Sequence, residues 1–160
     1  GLFVPNSLVY KEMFPKWLKR FDGQKNWAFV SVVRDVGQIE LFDNLLKTQG
    51  RELDLFIHFV LSADIAIERM SLRKYCPKCG ATYHPKFKKE QEEGKCDLCG
   101  TALTQRDDDQ PQKIISRLEE YNRTIHPILK VYEERGLLVE VDAAPSIEEI
   151  HKEIIKILHL

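Results

Sequence analysis

Residues 53–62 read Leu-Asp-Leu-Phe-Ile-His-Phe-Val-Leu-Ser. The run from Leu53 to Val60 is rich in aromatic and branched residues and almost continuously apolar. That pattern predicts a strand buried on both faces. Ser62 is a good helix N-cap, so a helix running towards Arg73 should follow almost at once. A strand passing straight into a helix is the opening of a β-α-β unit. The same grammar recurs on both sides. Upstream, Trp27-Ala-Phe-Val-Ser-Val-Val33 reads as a buried strand and Asp35 to Lys47 returns to helical spacing. Downstream, Asp109-Gln-Pro111 opens a long helix through Tyr121 to about Arg135, and Gly136 ends it. Leu137 to Val141 is a third strand. Ser146 to Leu158 is a final helix, with Ser146 and Glu149 as a capping box. Before all of these, Asn6 to Phe21 reads as a helix capped by Asn6, with Leu8, Val9, Met13, Phe14 and Leu18 at helical spacing. Pro15 should kink or break it, and Asp22-Gly23 is a turn. Alternating strands and helices predict an α/β fold, a parallel sheet with flanking helices. Ligands of such a sheet sit beyond the carboxyl ends of its strands.

Composition narrows the class. The chain has 160 residues, of which 43% are apolar, enough for a core. Lys and Arg number 24 against 25 Asp and Glu, for a net charge of -1. That balance gives no reason to expect nucleic acid as the main partner. No apolar run is long enough for a bilayer, so no membrane partner is expected. All four cysteines lie between Arg73 and Pro111, in two close pairs, which reads as a metal site in a reducing compartment. A cytoplasmic location is expected.

Cys76-x-x-Cys79-Gly80 and Cys96-x-x-Cys99-Gly100 are the same device twice. Each puts two sulfurs on one tight turn, and the glycine lets the backbone fold back. Zinc takes four thiolates in a tetrahedron. A redox pair or two chance pairs would not be duplicated in this way. A closed four-sulfur shell leaves no open position, so the zinc should be structural. His84 is an alternative ligand, but a surface or packing role suits it better. The clamp stands in for an apolar core in a segment too short and polar to build one. The segment should be a small flap inserted in the α/β body.

Cys76-Pro-Lys-Cys-Gly-Ala-Thr-Tyr-His84, Cys96-Asp-Leu-Cys-Gly100 and Gln105-Arg-Asp-Asp-Asp109, in that order, resemble the zinc-bearing lid of the long bacterial form of adenylate kinase. Arg117-Leu-Glu-Glu-Tyr121 and Gly136-Leu-Leu-Val-Glu-Val-Asp142 continue the likeness. Upstream, Gly1-Leu-Phe-Val-Pro5 and Arg34-x-x-x-Gln38 resemble the AMP-reading segments of that family. The resemblance implies a P-loop nucleoside monophosphate kinase fold, amino-terminally incomplete. Its parts would be the remainder of the AMP-binding and core region (1–73), a zinc lid (74–108) and carboxyl-terminal core elements (109–160). It implies transfer of a phosphoryl group between ATP and AMP, giving two ADP, with magnesium accompanying ATP and the lid closing over it. Carried over residue by residue, Arg73 contacts ATP phosphates and Arg69 lies against the adenine. Thr82 and Tyr83 line the ATP side of the lid, and Pro145 offers its backbone to the adenine. Arg106 and Arg117 grip phosphates across the reaction centre, with Arg34 on the AMP phosphate and Gln38 on its base. Leu2, Phe3 and Val4 form the base pocket. The aspartates after Arg106 would orient the arginines, whose forks stabilise charge spread over phosphoryl oxygens as lysine cannot.

Three departures stand out. No Gly-x-x-x-x-Gly-Lys-Ser/Thr loop occurs, although the family cradles ATP phosphates on one. Val30-Ser-Val-Val33 stands where the family has Asp-Gly-Phe-Pro, so the carboxylate that helps hold magnesium-bound water is a valine. Ala143-Ala144 stands where Gly-Thr is common. The family's phosphate-loop strand lies between those resembling Trp27–Val33 and Leu53–Val60. The expectation is therefore a fragment, or a chain completed by another segment or partner that supplies this strand. Two rivals remain. One is a non-catalytic relative that binds nucleotide or protein. The other is a zinc-ribbon nucleic-acid binder using Lys86, Lys88, Lys89 and Lys95, which lacks an aromatic platform beyond Tyr83 and Phe87.

Overall fold

The computed structural model describes residues 4–21 and 23–159. The chain divides into two compact units, 1–58 with 122–140 and 59–121 with 141–160.

In the first unit the amino-terminal helix is irregular for a definable reason. Residues Leu8–Met13 form a π-helical turn, and α1 spans Phe14–Leu18 with Pro15 at its start. Pro15 has no N–H to donate backwards, and the Phe14 N–H reaches the Val9 carbonyl five residues away. Asn6 is not the N-cap expected of it. Its Oδ1 accepts from Gln38 Nε2 at 2.9 Å. Helix α2 spans Gly37–Thr48 and buries Ile39, Phe42, Leu45 and Leu46, one stripe at helical spacing. It ends in a Schellman motif. The Gly50 N–H bonds Lys47 O at 3.0 Å and the Arg51 N–H bonds Leu46 O at 3.1 Å, with Gly50 at φ 65°.

The stretch 27–33, expected as a strand, is irregular, with a bend at Val30 and Ser31, and has no ladder among the described residues. Side chains take its carbonyls instead. The Tyr10 hydroxyl donates to Val32 O at 2.7 Å, and Arg34 Nε donates to Ser31 O at 3.3 Å. Arg51 lies 4.2 Å over the Trp27 ring and donates to Lys25 O at 2.6 Å and to Gln24 O. Ser31 has φ 54°, a left-handed conformation that no strand residue adopts. The apolar pattern still reports burial. Trp27, Phe29, Val32 and Val33 pack against the buried cluster of Tyr10, Leu18, Phe42, Leu45 and Leu46. A second cluster joins Ile39, Ile128 and Tyr132, with Phe56 stacked on Tyr132 at 4.2 Å.

Strand β1 (Phe56–Val60) starts three residues later than its apolar run. It pairs in parallel with β4 (Leu138–Asp142), through bonds from Phe56 N to Leu137 O and from Ala143 N to Val60 O, both 2.8 Å. In the second unit, α3 (Ala63–Ser71) is capped by Ser62, whose Oγ accepts from Ile65 N. Strands β2 (Lys74–Tyr75) and β3 (Thr82–Tyr83) form an antiparallel ribbon. Helix α4 covers Pro111–Glu134 and contributes to both units. Gly136 ends it at φ 69° with the motif that ends α2: Gly136 N to Glu133 O and Leu137 N to Tyr132 O, both 2.9 Å. Helix α5 (Ile147–Ile157) carries the expected capping box between Ser146 and Glu149. No helix among the described residues is long and apolar enough to cross a membrane.

Candidate functional site

The cysteine turns share one hydrogen-bond frame. Cys76 N bonds Ala81 O at 2.8 Å and Gly80 N bonds Cys76 O at 2.9 Å. Cys96 N bonds Thr101 O at 2.9 Å and Gly100 N bonds Cys96 O at 2.8 Å. Gly80 and Gly100 sit at φ 75° and 67°, where only glycine is unstrained. The frames face each other, so the nearest sulfur pairs are crossed. Cys76 Sγ is 3.4 Å from Cys99 Sγ, and Cys79 Sγ is 3.5 Å from Cys96 Sγ. All four sulfurs lie within 4.8 Å of one another. A tetrahedron with bonds of about 2.3 Å has sulfur edges of about 3.8 Å. The four thiols are unlinked and fit a metal ion. Hydrogen bonds favour the thiolate form, which a metal needs, at two of the four cysteines, whereas Cys79 is pushed up by its sulfur neighbours. Tyr83 holds Cys96 down to about 6, and Thr101 lowers Cys99. His84 stands apart from this set, its Nδ1 accepting from Lys86 N at 3.1 Å.

Around the sulfurs the segment is polar. Tyr75 and Thr104 exchange backbone bonds of 2.8 and 2.9 Å, tying the two ends of the segment together. Glu90, 8% exposed, accepts from Lys74 Nζ at 2.9 Å and from Gly94 N at 3.3 Å. The Lys74 ammonium holds its carboxyl down to about 2. Two of the lysines considered for nucleic acid are neutralised locally: Lys86 bonds Glu68 and Lys95 bonds Glu92. Lys88 lies over the Tyr83 ring.

The arginines of the second unit are held in place. Asp109 is fully buried, and its two oxygens accept from Arg73 Nε at 3.0 Å and Nη2 at 2.5 Å. Arg117 approaches the same carboxylate at 3.8 Å and donates to Asp108 O at 3.4 Å. One carboxylate thus gathers Arg73 and Arg117, leaving Arg117 half-exposed. Arg106 lies 5.2 Å over the Tyr75 ring. Arg69 donates to Ala143 O at 2.7 Å and Ala144 O at 2.8 Å, beside Pro145, and stacks 4.7 Å over Phe87. Ile65, Glu68, Arg69, His84, Lys86, Phe87 and Ala144 line a cleft of about 210 Å³ here. Phe87, weighed in the sequence only as an aromatic for nucleic acid, lines this cleft instead. On β3, side chains alternate. Thr82 faces out, whereas Tyr83 is 2% exposed and turned towards the sulfurs.

In the first unit, Gln38 is 7% exposed and fully engaged. Its Oε1 accepts from the Arg34 N–H at 2.8 Å and its Nε2 donates to Asn6. Arg34 itself is exposed. Val4 is 51% exposed, and Leu2 and Phe3 lie outside the described residues. Val30 is 91% exposed.

Residues 73–108 match the family model described as adenylate kinase, active site lid. The chain is 34% identical over 158 residues to the adenylate kinase of Clostridium beijerinckii, covering 99% of this chain and 73% of that protein. It is 35% identical to that of Thermoanaerobacter sp., covering 99% and 72%. It is 35% identical over 154 residues to that of Thermococcus onnurineus, covering 96% and 67%. With the α/β fold, the four-cysteine cluster and relatives of this similarity, the chain belongs to the adenylate kinase family of nucleoside monophosphate kinases.

Proposed function

We propose that this chain works in the transfer of a phosphoryl group from ATP to AMP, giving two ADP, in the cytoplasm. The carrying observation is the carboxylate of Asp109, which holds Arg73 in a fork and draws in Arg117. Two guanidiniums fixed before substrate arrives can meet the charge that spreads over phosphoryl oxygens without reorganising. Arg106 joins them on the phosphates. Arg69, Thr82 and the Pro145 backbone serve ATP, with Phe87 as a further wall, while Tyr83 acts from inside the lid. Arg34 takes the AMP phosphate. Gln38 reads the AMP base by giving up its bond to Asn6, and Leu2, Phe3 and Val4 serve as the base pocket. The segment 74–108 is a lid that closes, and its four cysteines hold zinc, which shapes it without touching substrate. Residues 1–73 and 109–160 form the body.

Magnesium arrives with ATP, and Val30 has no ligand to offer it. These 160 residues contain no glycine-rich lysine loop, so the ATP phosphates need N–H donors from a further segment or a partner chain. Phe59 and Val60 of β1, 50% and 41% exposed, are apolar surface that such a strand would cover. The assay therefore uses the protein as its own cell makes it. With zinc and magnesium it forms ADP from ATP and AMP, and Arg73→Lys lowers kcat/KM by about 100-fold. Exposed Val30 favours one second reading, a relative that binds nucleotide or protein without turnover. Absence of ADP formation by the native protein selects it and rejects the first.

A further inference from the structure

Tyr83 has a position that its place in the lid sequence did not announce. Its ring is 2% exposed and packs with Cys76 and Cys96. Its hydroxyl accepts from the Asp97 N–H at 2.8 Å and lies 3.4 Å from Cys96 Sγ. A backbone N–H can only donate, so one lone pair of the hydroxyl is committed to Asp97. The hydroxyl proton is then free to point at the sulfur. Asp97 follows Cys96 directly, so this one hydroxyl bridges a metal-binding sulfur and the turn that carries it. Groups that hydrogen-bond metal ligands fix their orientation and tune the metal they hold.

We propose that Tyr83 is a positioning residue for the lid metal, donating its hydroxyl hydrogen bond to the Cys96 thiolate. Its contribution to the kinase reaction then runs through the metal site and not through contact with nucleotide. The bond lowers the charge density on one sulfur of four and makes the shell chemically unequal. Cys99 is also hydrogen-bonded to a hydroxyl, that of Thr101 at 3.3 Å, on its own turn.

The test is Tyr83→Phe in the full native chain, which keeps the ring and deletes one oxygen. Zinc affinity is read by competition with a chromophoric chelator, and the site's electronics by cobalt(II) absorption. Zinc should bind about 10- to 100-fold more weakly. The sulfur-to-cobalt charge-transfer band should move to longer wavelength, because a sulfur without its donor holds its electrons less tightly. An affinity within about twofold of the parent overturns the proposal. So does weaker binding with an unmoved band, since packing alone would then explain the loss. If the metal-free variant does not fold, the zinc concentration at its folding midpoint gives the same ratio and decides in the same way. The proposal rests on the cysteine cluster being a metal site. A parent protein that takes up neither zinc nor cobalt rejects that reading, and this one with it.

Discussion

Residues 74–104 and residues 4–50 reach order by different routes. The first segment buries few apolar side chains and gathers four sulfurs within 4.8 Å, on two turns built to one hydrogen-bond plan. The second has no such staple. It depends on Tyr10, Leu18, Phe42, Leu45 and Leu46 packing together, with the aromatic rings of Trp27 and Phe29 laid against them. In the first, geometry is dictated within each turn. In the second, local signals end the helices, but the packing partners lie far apart along the chain. A metal clamp is local and strong, whereas an apolar core is distributed and tolerant.

The largest test of that contrast is to deny the four cysteines the metal ion they fit. Stripping the protein with a chelator should cost the lid on the order of 10 kcal/mol of folding free energy, and Cys96→Ser should cost part of it. Amide exchange in 73–108 should become unprotected, while that of α2 around Phe42 stays slow. Simultaneous loss of protection in both would break the distinction. The converse probe is Phe42→Ala. It should destabilise the first unit by about 4 kcal/mol in denaturant unfolding and leave zinc stoichiometry unchanged.

A smaller effect sharpens the lid side. Glu90 is held down to about 2 in the folded chain, against an ordinary value of 4.5. Its folded pKa is depressed, so its stabilisation is fully present above 4.5 and fades as pH falls towards 2. Glu90→Gln keeps an acceptor for Gly94 N but loses the charge facing Lys74. Lid stability should fall by about 1 kcal/mol at about pH 7. The gap between parent and variant should be constant down to about pH 5 and shrink below it. A gap that widens on acidification would contradict the assignment. The smallest effect lies on the other side. Ser31 sits at φ 54°, so Ser31→Gly should raise stability by up to about 1 kcal/mol. A loss would mean that the serine side chain sustains the bend.

The same contrast explains what could be read from the sequence. Caps and stops were legible because their chemistry is local. Ser62, the Ser146–Glu149 box and Gly136 all act where expected. The cysteine turns were legible for the same reason. The stretch 27–33 was not, because apolar periodicity reports burial and says nothing about whether a neighbouring backbone is there to pair. Asn6 misled for a related reason: a good capping side chain was claimed by Gln38, 32 positions on. Among the candidate site residues, the arginines were picked out by motif. The aspartates after Arg106 were expected to orient them, and the structure singles out Asp109, buried against Arg73. Tyr83 and Thr82 are neighbours in sequence, but strand alternation sends them to opposite faces.

Arg69 holds the turn after β4 by its main chain, through the carbonyls of Ala143 and Ala144. A guanidinium that grips carbonyls is indifferent to what the Cα atoms carry. Positions 143 and 144 are therefore free to drift in sequence while the turn keeps its shape. Alanine at both positions costs the turn nothing that Arg69 supplies.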